Sequence, residues 1–305
     1  MPCHSSAVFY QTLQKQIQGE VLYQEPLSHH TSMKVGGPAD CFISPKNLTE
    51  LQIIYTQAGL AGIPVMVIGA GTNLLISDQG IRGIVVSLKE GFAGYSREGL
   101  QLTVQSGLLL PKLIRISHQF GFTGLGFLAG IPGSVGGAVY MNAGTSSQFF
   151  SQVIRSGLVW DPVTQSIHPF TLDDFHFGYR TSILQKNSQV LLEVSLALLQ
   201  GDIQAEQTFI RRINATRSRT QPLQFPNAGC TWKNPEKVTV GKIIEEAGLK
   251  GKIIGKAMVS TLHANFIVNL GGATFQDILA LMELVEKTIY ERYNIHLERE
   301  LQIIA

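Results

Sequence analysis

The chain carries little charge and little sulfur. Only 15% of its 305 residues are Asp, Glu, Lys or Arg, and the two signs nearly cancel to a net +2. That balance offers no basic footprint, so no nucleic acid is expected as a partner. Long apolar runs are missing as well: none reaches the length that spans a bilayer, and the opening Met1 to Tyr10 has no basic flank leading into an apolar stretch. The chain therefore reads as cytoplasmic, with no membrane partner. Three scattered cysteines, Cys3, Cys41 and Cys230, exclude a disulfide framework and a metal-type spacing; they fit free thiols in a reducing compartment. His29, His30, His118, His176 and His263 show no ligand spacing, so no metal is expected. Neither an internal repeat nor a low-complexity tract is present.

Glycine and aliphatic residues are plentiful. Hydrophobic residues make up 44%, enough for a sizeable core divided over two or three domains. The densest glycine stretch is Leu125 to Gly144, with glycines at 126, 130, 133, 136, 137 and 144, too many for a helix interior or a packed strand. Without a Cβ the backbone reaches positive φ and lets a ligand come close. Consecutive amide N–H groups, partly pinned by Pro132, then suit a concave nest for an anion such as a diphosphate; a plain Gly-rich turn between sheets is the alternative. Upstream, the strand-like Pro64 to Ile68 runs into Gly69-Ala70-Gly71-Thr72-Asn73. This is no Rossmann turn, because Leu74 stands where a third glycine belongs and Leu74 to Asp78 reads as extended.

Other elements follow from spacing. Asn47 to Glu50 resembles a capping box ahead of a helix with Leu48, Leu51, Ile54, Tyr55 and Ala58 at helical intervals, ending near Gly59 to Gly62. Leu109 to Phe120 is a helix with Pro111 in its first turn and Gly121 past its end. Extended runs are expected at Ala39 to Ile43, Ile84 to Leu88, Gln101 to Gln105, Val153 to Trp160, Gln189 to Leu199 and Ala264 to Asn269. After a compositional shift at Gly201, Ile203 to Arg217 forms a basic amphipathic helix that opens a separate domain. Thr274 caps a long helix whose Phe275, Ile278, Met282, Val285 and Ile289 make one core-facing stripe.

Nine collinear segments, among them Thr31 to Asp40, Gly69 to Asp78, Gly124 to Gly144, Phe177 to Ser182, Gly229 to Pro235, His263 to Asn269 and Leu297 to Glu300, resemble the UDP-N-acetylenolpyruvoylglucosamine reductase family, in the shorter of its two forms. The resemblance implies an α+β fold: an FAD-binding fold of the vanillyl-alcohol-oxidase type in two subdomains, 1–90 and 91–200, plus a C-terminal α+β substrate domain, 201–305. It also implies FAD as cofactor, NADPH as reductant and UDP-N-acetylglucosamine enolpyruvate as substrate. A monomer is the expected state.

Site residues carry over one by one. Gly69, Ala70, Gly71, Thr72 and Asn73, with Ile131, Pro132, Gly133, Ser134, Gly136 and Gly137, would hold the FAD diphosphate through backbone donors. Arg180, in Tyr-Arg-Thr-Ser, matches the family's catalytic arginine, and its planar fork suits a developing carboxylate dianion. Glu300 matches the terminal glutamate, with Glu298 on the same face of an extended strand as its rival. Cys230 stands where the family usually has the serine that donates a proton; a thiol is a stronger acid than a serine hydroxyl and is mostly protonated near neutral pH. A small buried cysteine is the bland alternative. Lys233 and Asn234 match positions near the uridine diphosphate or the sugar. After Asn142-Ala-Gly144 the chain reads Thr-Ser-Ser-Gln-Phe-Phe instead of the usual aromatic, glycines and acid. Another FAD oxidoreductase of this fold, or a nucleotide-sugar binding protein without turnover, would use many of the same segments.

Overall fold

The computed structural model describes residues 4–235 and 239–305, so Cys3 lies outside the described residues. The chain forms two compact units. One takes the chain up to Gln24 with Asp40–Ala70 and Arg82–Ala215; the other takes Glu25–Ala39, Gly71–Ile81 and Thr216–Ala305.

In the first unit, Asn47 caps the Leu48–Leu60 helix by accepting the Glu50 N–H at 3.0 Å. Leu51, Ile54 and Ala58 are fully buried and share a core with Cys41, Ile43, Ile84 and Val86. The sheet there runs in the order Glu20–Pro26, Pro38–Ser44, Ile81–Ser87, Val65–Ile68. Its last two strands are parallel, with Val65 opposite Ile84, and the connection between them runs through the Gly-rich turn and the Leu74–Ile76 strand. Of Val65–Ile68 only Ile68 is buried, since the strand lies at the sheet's edge. Glu50, itself buried, accepts N–H bonds from Lys46, Gln18 and Gly19 at 2.9–3.2 Å and ties the chain ahead of the first strand to the helix start.

A second sheet in this unit is antiparallel and ordered Ser166–Thr171, Ile154–Asp161, Val190–Ala197, Gln101–Gln105, Tyr95–Glu98. Its alternating Leu102, Val104, Val194 and Leu196 pack with Leu113 and Ile116 of the Leu110–Gln119 helix. Pro111 sits in the first turn of that helix as expected. The Gly-rich stretch departs from the expectation of an irregular loop. It contains a 3₁₀ turn, Gly126–Leu128, and a short helix, Val135–Tyr140, capped by Ser134. Glycine's low helix propensity is offset here by fit: a Cβ on Gly136 would lie 3.1 Å from the Ser106 Cβ and 3.2 Å from its carbonyl oxygen, so the helix comes as near as it does only because Gly136 lacks one.

The second unit is built on the Phe275–Tyr293 helix. Thr274 and Asp277 form its capping box, and Asp78 adds a further acceptor for the Phe275 N–H at 3.0 Å. All five residues of the expected stripe are buried. Three short antiparallel strands, Ile253–Ile254, Ala257–Val259 and Ile267–Asn269, accompany it. The last is shorter than the expected Ala264 to Asn269, because Ala264–Phe266 turn back, with Phe266 N–H donating to the His263 carbonyl. Leu74–Ile76 pairs in parallel with Gln302–Ile304. Two helices carried too weak a pattern to be expected: His4–Gln14 and Val240–Glu246.

Candidate active site

The two Gly-rich segments meet within the first unit. A Cβ on Gly69 would lie 2.6 Å from the Ser134 hydroxyl oxygen, so Gly69 presents bare backbone to the cap of the Val135–Tyr140 helix. Several amides of the expected nest are already used inside the protein. Ile131 donates to Leu128, Val135 to Leu108, Gly136 to Ser106 and Gly137 to the Ser134 side chain. These bonds shape the segment, and they narrow the expected run of diphosphate donors to the stretch around Gly133 and Ser134. Gly133 has φ +139°, a backbone conformation that side chains rarely adopt. Glycine-surfaced backbone with the Ser134 hydroxyl beside it suits a flavin diphosphate, which needs close backbone approach and neutral N–H donors.

Arg180 lies at the tip of a tight turn in which Gly178 and Thr181 exchange backbone bonds, and it takes φ +57° there. Its Nη2 donates to the Gly144 carbonyl at 3.0 Å, and its guanidinium lies 5.2 Å from the Tyr179 ring centre. The turn is clamped to the end of the Gly-rich stretch: Asn142 Nδ2 donates to the Gly178 carbonyl, while Ser182 Oγ and Gln185 Nε2 both donate to the Tyr140 carbonyl. Asn142 itself has φ +42°, which asparagine tolerates better than most residues. Thus the Tyr-Arg-Thr-Ser motif and the Met-Asn-Ala-Gly motif form one structure. Gln185 was not legible in the sequence, since a lone Gln after a Ser carries no pattern.

In the second unit, Gly229 with φ +80° turns the chain into Cys230, which is partly exposed. Thr231 to Lys233 then runs antiparallel to Glu298 to Glu300: the Glu300 N–H donates to the Thr231 carbonyl, the Lys233 N–H to the Glu298 carbonyl, and Trp232 stands opposite Arg299. This pairing brings the Cys230 and Glu300 stretches side by side. Asn265 holds it from the other edge, accepting from the Trp232 N–H and donating to the Trp232 carbonyl, and Asn73 Nδ2 donates to the Glu300 carbonyl at 2.9 Å. Beneath them the Glu286 carboxylate receives the Trp232 indole N–H and a two-pronged Arg299 guanidinium.

The rival carboxylates differ in their engagements. Glu298 is exposed and holds the Lys233 ammonium at 2.6 Å, which also gives Lys233 a protein partner. Asn234 uses its side-chain oxygen on the Val240 N–H, at the start of a helix. Arg217, from the last turns of the Ile203–Thr220 helix, was missed by sequence reasoning. Burial pulls its guanidinium below the ordinary arginine range, and the charge of Cys230 opposes that shift, so the two side chains are electrostatically coupled. Cys41, by contrast, is fully buried, and burial pushes its thiol up to about 12. Among the described residues no group of three or more His, Cys, Asp or Glu could hold a metal ion, and no helix is long and apolar enough to cross a membrane.

Residues 39–163 match a family model described as an FAD-binding domain, and residues 221–304 match the C-terminal domain of UDP-N-acetylenolpyruvoylglucosamine reductase. Proteins named UDP-N-acetylenolpyruvoylglucosamine reductase are similar over nearly the whole chain. The one from Alkaliphilus oremlandii is 38% identical, covering 97% of each chain, and the one from Bacillus velezensis is 43% identical, covering 94% of this chain and 95% of its own. The chain belongs to the UDP-N-acetylenolpyruvoylglucosamine reductase family. The crystal structure of the Thermus caldophilus reductase superposes with a TM-score of 0.81 at 33% identity, covering 95% of this chain and all of that one. The fold is accordingly the α+β, FAD-binding fold of this family. Both Gly-rich segments fall inside the FAD-binding match, and Cys230, Lys233, Asn234 and Glu300 fall inside the C-terminal match.

Proposed function

We propose that this chain uses NADPH to reduce the enolpyruvyl group of UDP-N-acetylglucosamine enolpyruvate, giving UDP-N-acetylmuramate for peptidoglycan precursor synthesis in the cytoplasm, and that it acts as a monomer. Bound FAD would supply the hydride-transfer chemistry that links NADPH to the distal carbon of the substrate's vinyl group. Chain regions 1–90 and 91–200 carry the cofactor, and region 201–305 carries the nucleotide sugar. Gly69, Ala70, Gly71, Thr72 and Asn73, with Ile131 to Ser134 and the turn into Gly136 and Gly137, supply the backbone surface for the diphosphate, with the donors of the second segment drawn from Gly133 and Ser134. Arg180 offers a fixed positive fork to the carboxylate on which negative charge develops, a stabilisation that counts most where water is excluded. Cys230 gives the Sγ proton to the other vinyl carbon, as a general acid. Glu300 assists at the same step, and Lys233 and Asn234 address the diphosphate or the sugar.

The observation that supports this reading most directly is the antiparallel pairing of Thr231 to Lys233 with Glu298 to Glu300. In support of it, the stretch carrying Cys230 runs next to the strand carrying Glu300, while Glu298 is engaged by Lys233. The test is anaerobic: NADPH should bleach the flavin absorbance, and the enolpyruvyl substrate should restore it with formation of UDP-N-acetylmuramate. Bleaching without recolouring would overturn the substrate assignment; protein that cannot be loaded with FAD would overturn the cofactor.

A further inference from the structure

Besides Glu50, the first unit contains another largely enclosed carboxylate for which the reaction has no use. Glu206, from the first turn of the Ile203–Thr220 helix, is 9% exposed at its side chain, and both of its oxygens are engaged. Oε1 accepts the N–H groups of Gly124 at 2.7 Å and Gly126 at 2.9 Å, and Oε2 lies 2.7 Å from Nε2 of His118, on the Leu110–Gln119 helix. One side chain therefore joins two helices to the front of the Gly-rich stretch. The approach is close: a Cβ on Gly126 would lie 3.0 Å from the Phe209 ring and 3.1 Å from Glu206 Cγ. From Gly126 onward the chain advances by successive tight turns, Ala129 N–H to the Gly126 carbonyl and Ile131 N–H to the Leu128 carbonyl, and so reaches Pro132, Gly133 and Ser134. Leu125, Phe127 and Leu128 are buried along the way, which leaves this segment little slack.

We propose that Glu206 is a positioning residue for flavin binding: by holding the Gly124 and Gly126 amides, with His118 as its counterpart, it fixes where the Gly133–Ser134 backbone meets the cofactor diphosphate. The inference rests on the assignment of the Gly133–Ser134 backbone to FAD. A carboxylate is suited to the task because a charged acceptor strengthens both amide bonds, and because removing it leaves the amide of Gly126, a buried residue, unsatisfied.

The test is FAD affinity, measured by flavin fluorescence on apoprotein and paired with urea unfolding of the same sample. Wild-type apoprotein should bind FAD; if it does not, the cofactor assignment fails, independently of Glu206. Given binding, Glu206→Ala should weaken it about tenfold or more under conditions where the apoprotein is fully folded. The visible circular dichroism of the bound flavin should change with it. Glu206→Gln, which keeps an oxygen acceptor for the glycine amides, should recover most of the affinity. Should Glu206→Ala fail to fold, His118→Gln and Glu206→Gln decide, with His118→Gln expected to weaken FAD binding less than Gly126→Ala, which pushes the segment off Glu206. Unchanged FAD affinity in folded Glu206→Ala, or a loss of urea stability with wild-type flavin signals, would overturn the proposal.

Discussion

Two cysteines with opposite surroundings set the residue-scale expectations. Cys41 is fully buried and its thiol is pushed up to about 12, whereas Cys230 is partly exposed after a glycine turn. Of these two, only Cys230 should be labelled by iodoacetamide in the native protein, as mass mapping of peptides would reveal. If Cys230 supplies the proton, transfer to substrate should slow at alkaline pH as thiol gives way to thiolate. Cys230→Ser should remove that slowing within the same pH range, because a hydroxyl keeps its proton there. Stopped-flow recolouring of flavin from pH 7 to 10 measures both. A different residue governs stability. Glu50 accepts three backbone N–H groups from a buried position, so Glu50→Ala strands those donors and should cost about 2–4 kcal/mol in urea unfolding, with Glu50→Gln losing less.

At the scale of elements, the Phe275–Tyr293 helix is the most completely readable piece of the molecule, because cap and stripe are both local patterns. Its Asp277 carboxyl is held below the usual carboxylate range, first by the Thr274 N–H and then by the Lys256 N–H. A lowered folded-state value means stability that is present above the ordinary range, about pH 4, and is lost as pH falls through the folded value. Asp277→Asn should therefore lower Tm at pH 7, and the gap to wild type should close below about pH 4; thermal melts across that window test the sign. The Val135–Tyr140 helix marks where sequence reasoning fell short. Its glycines argue locally against a helix, and what overrides them is distant: the Ser106 and Leu108 carbonyls accept two of its first amides. Likewise Arg180 could be named from its motif, but the clamp from Asn142 and Gln185 depends on contacts that no local spacing encodes.

For the whole molecule, the collinear motifs made the family readable, while the composition of the compact units was not. Leu74 to Asp78 could be read as extended, but nothing in it announces a partner strand at Gln302–Ile304. Both stretches are ordinary apolar runs, and their pairing is decided by tertiary fit. Removal of residues 302–305 should therefore expose Leu75 and Ile76, which are fully buried in the intact chain, and destabilise the second unit. Limited proteolysis should then cut within residues 216–305 well before the antiparallel sheet of the first unit is attacked.

The Leu74–Ile76 strand also carries a consequence for synthesis. It leaves the ribosome well over two hundred residues ahead of its partner. At roughly 5–20 residues per second, it waits about ten to fifty seconds with two apolar side chains uncovered. Throughout that interval the nascent chain holds an unpaired edge, the kind of surface on which neighbouring chains pair wrongly. Completion of the second unit thus waits for Gln302–Ile304, and the yield of native protein should depend on how well that one strand is shielded until its partner emerges.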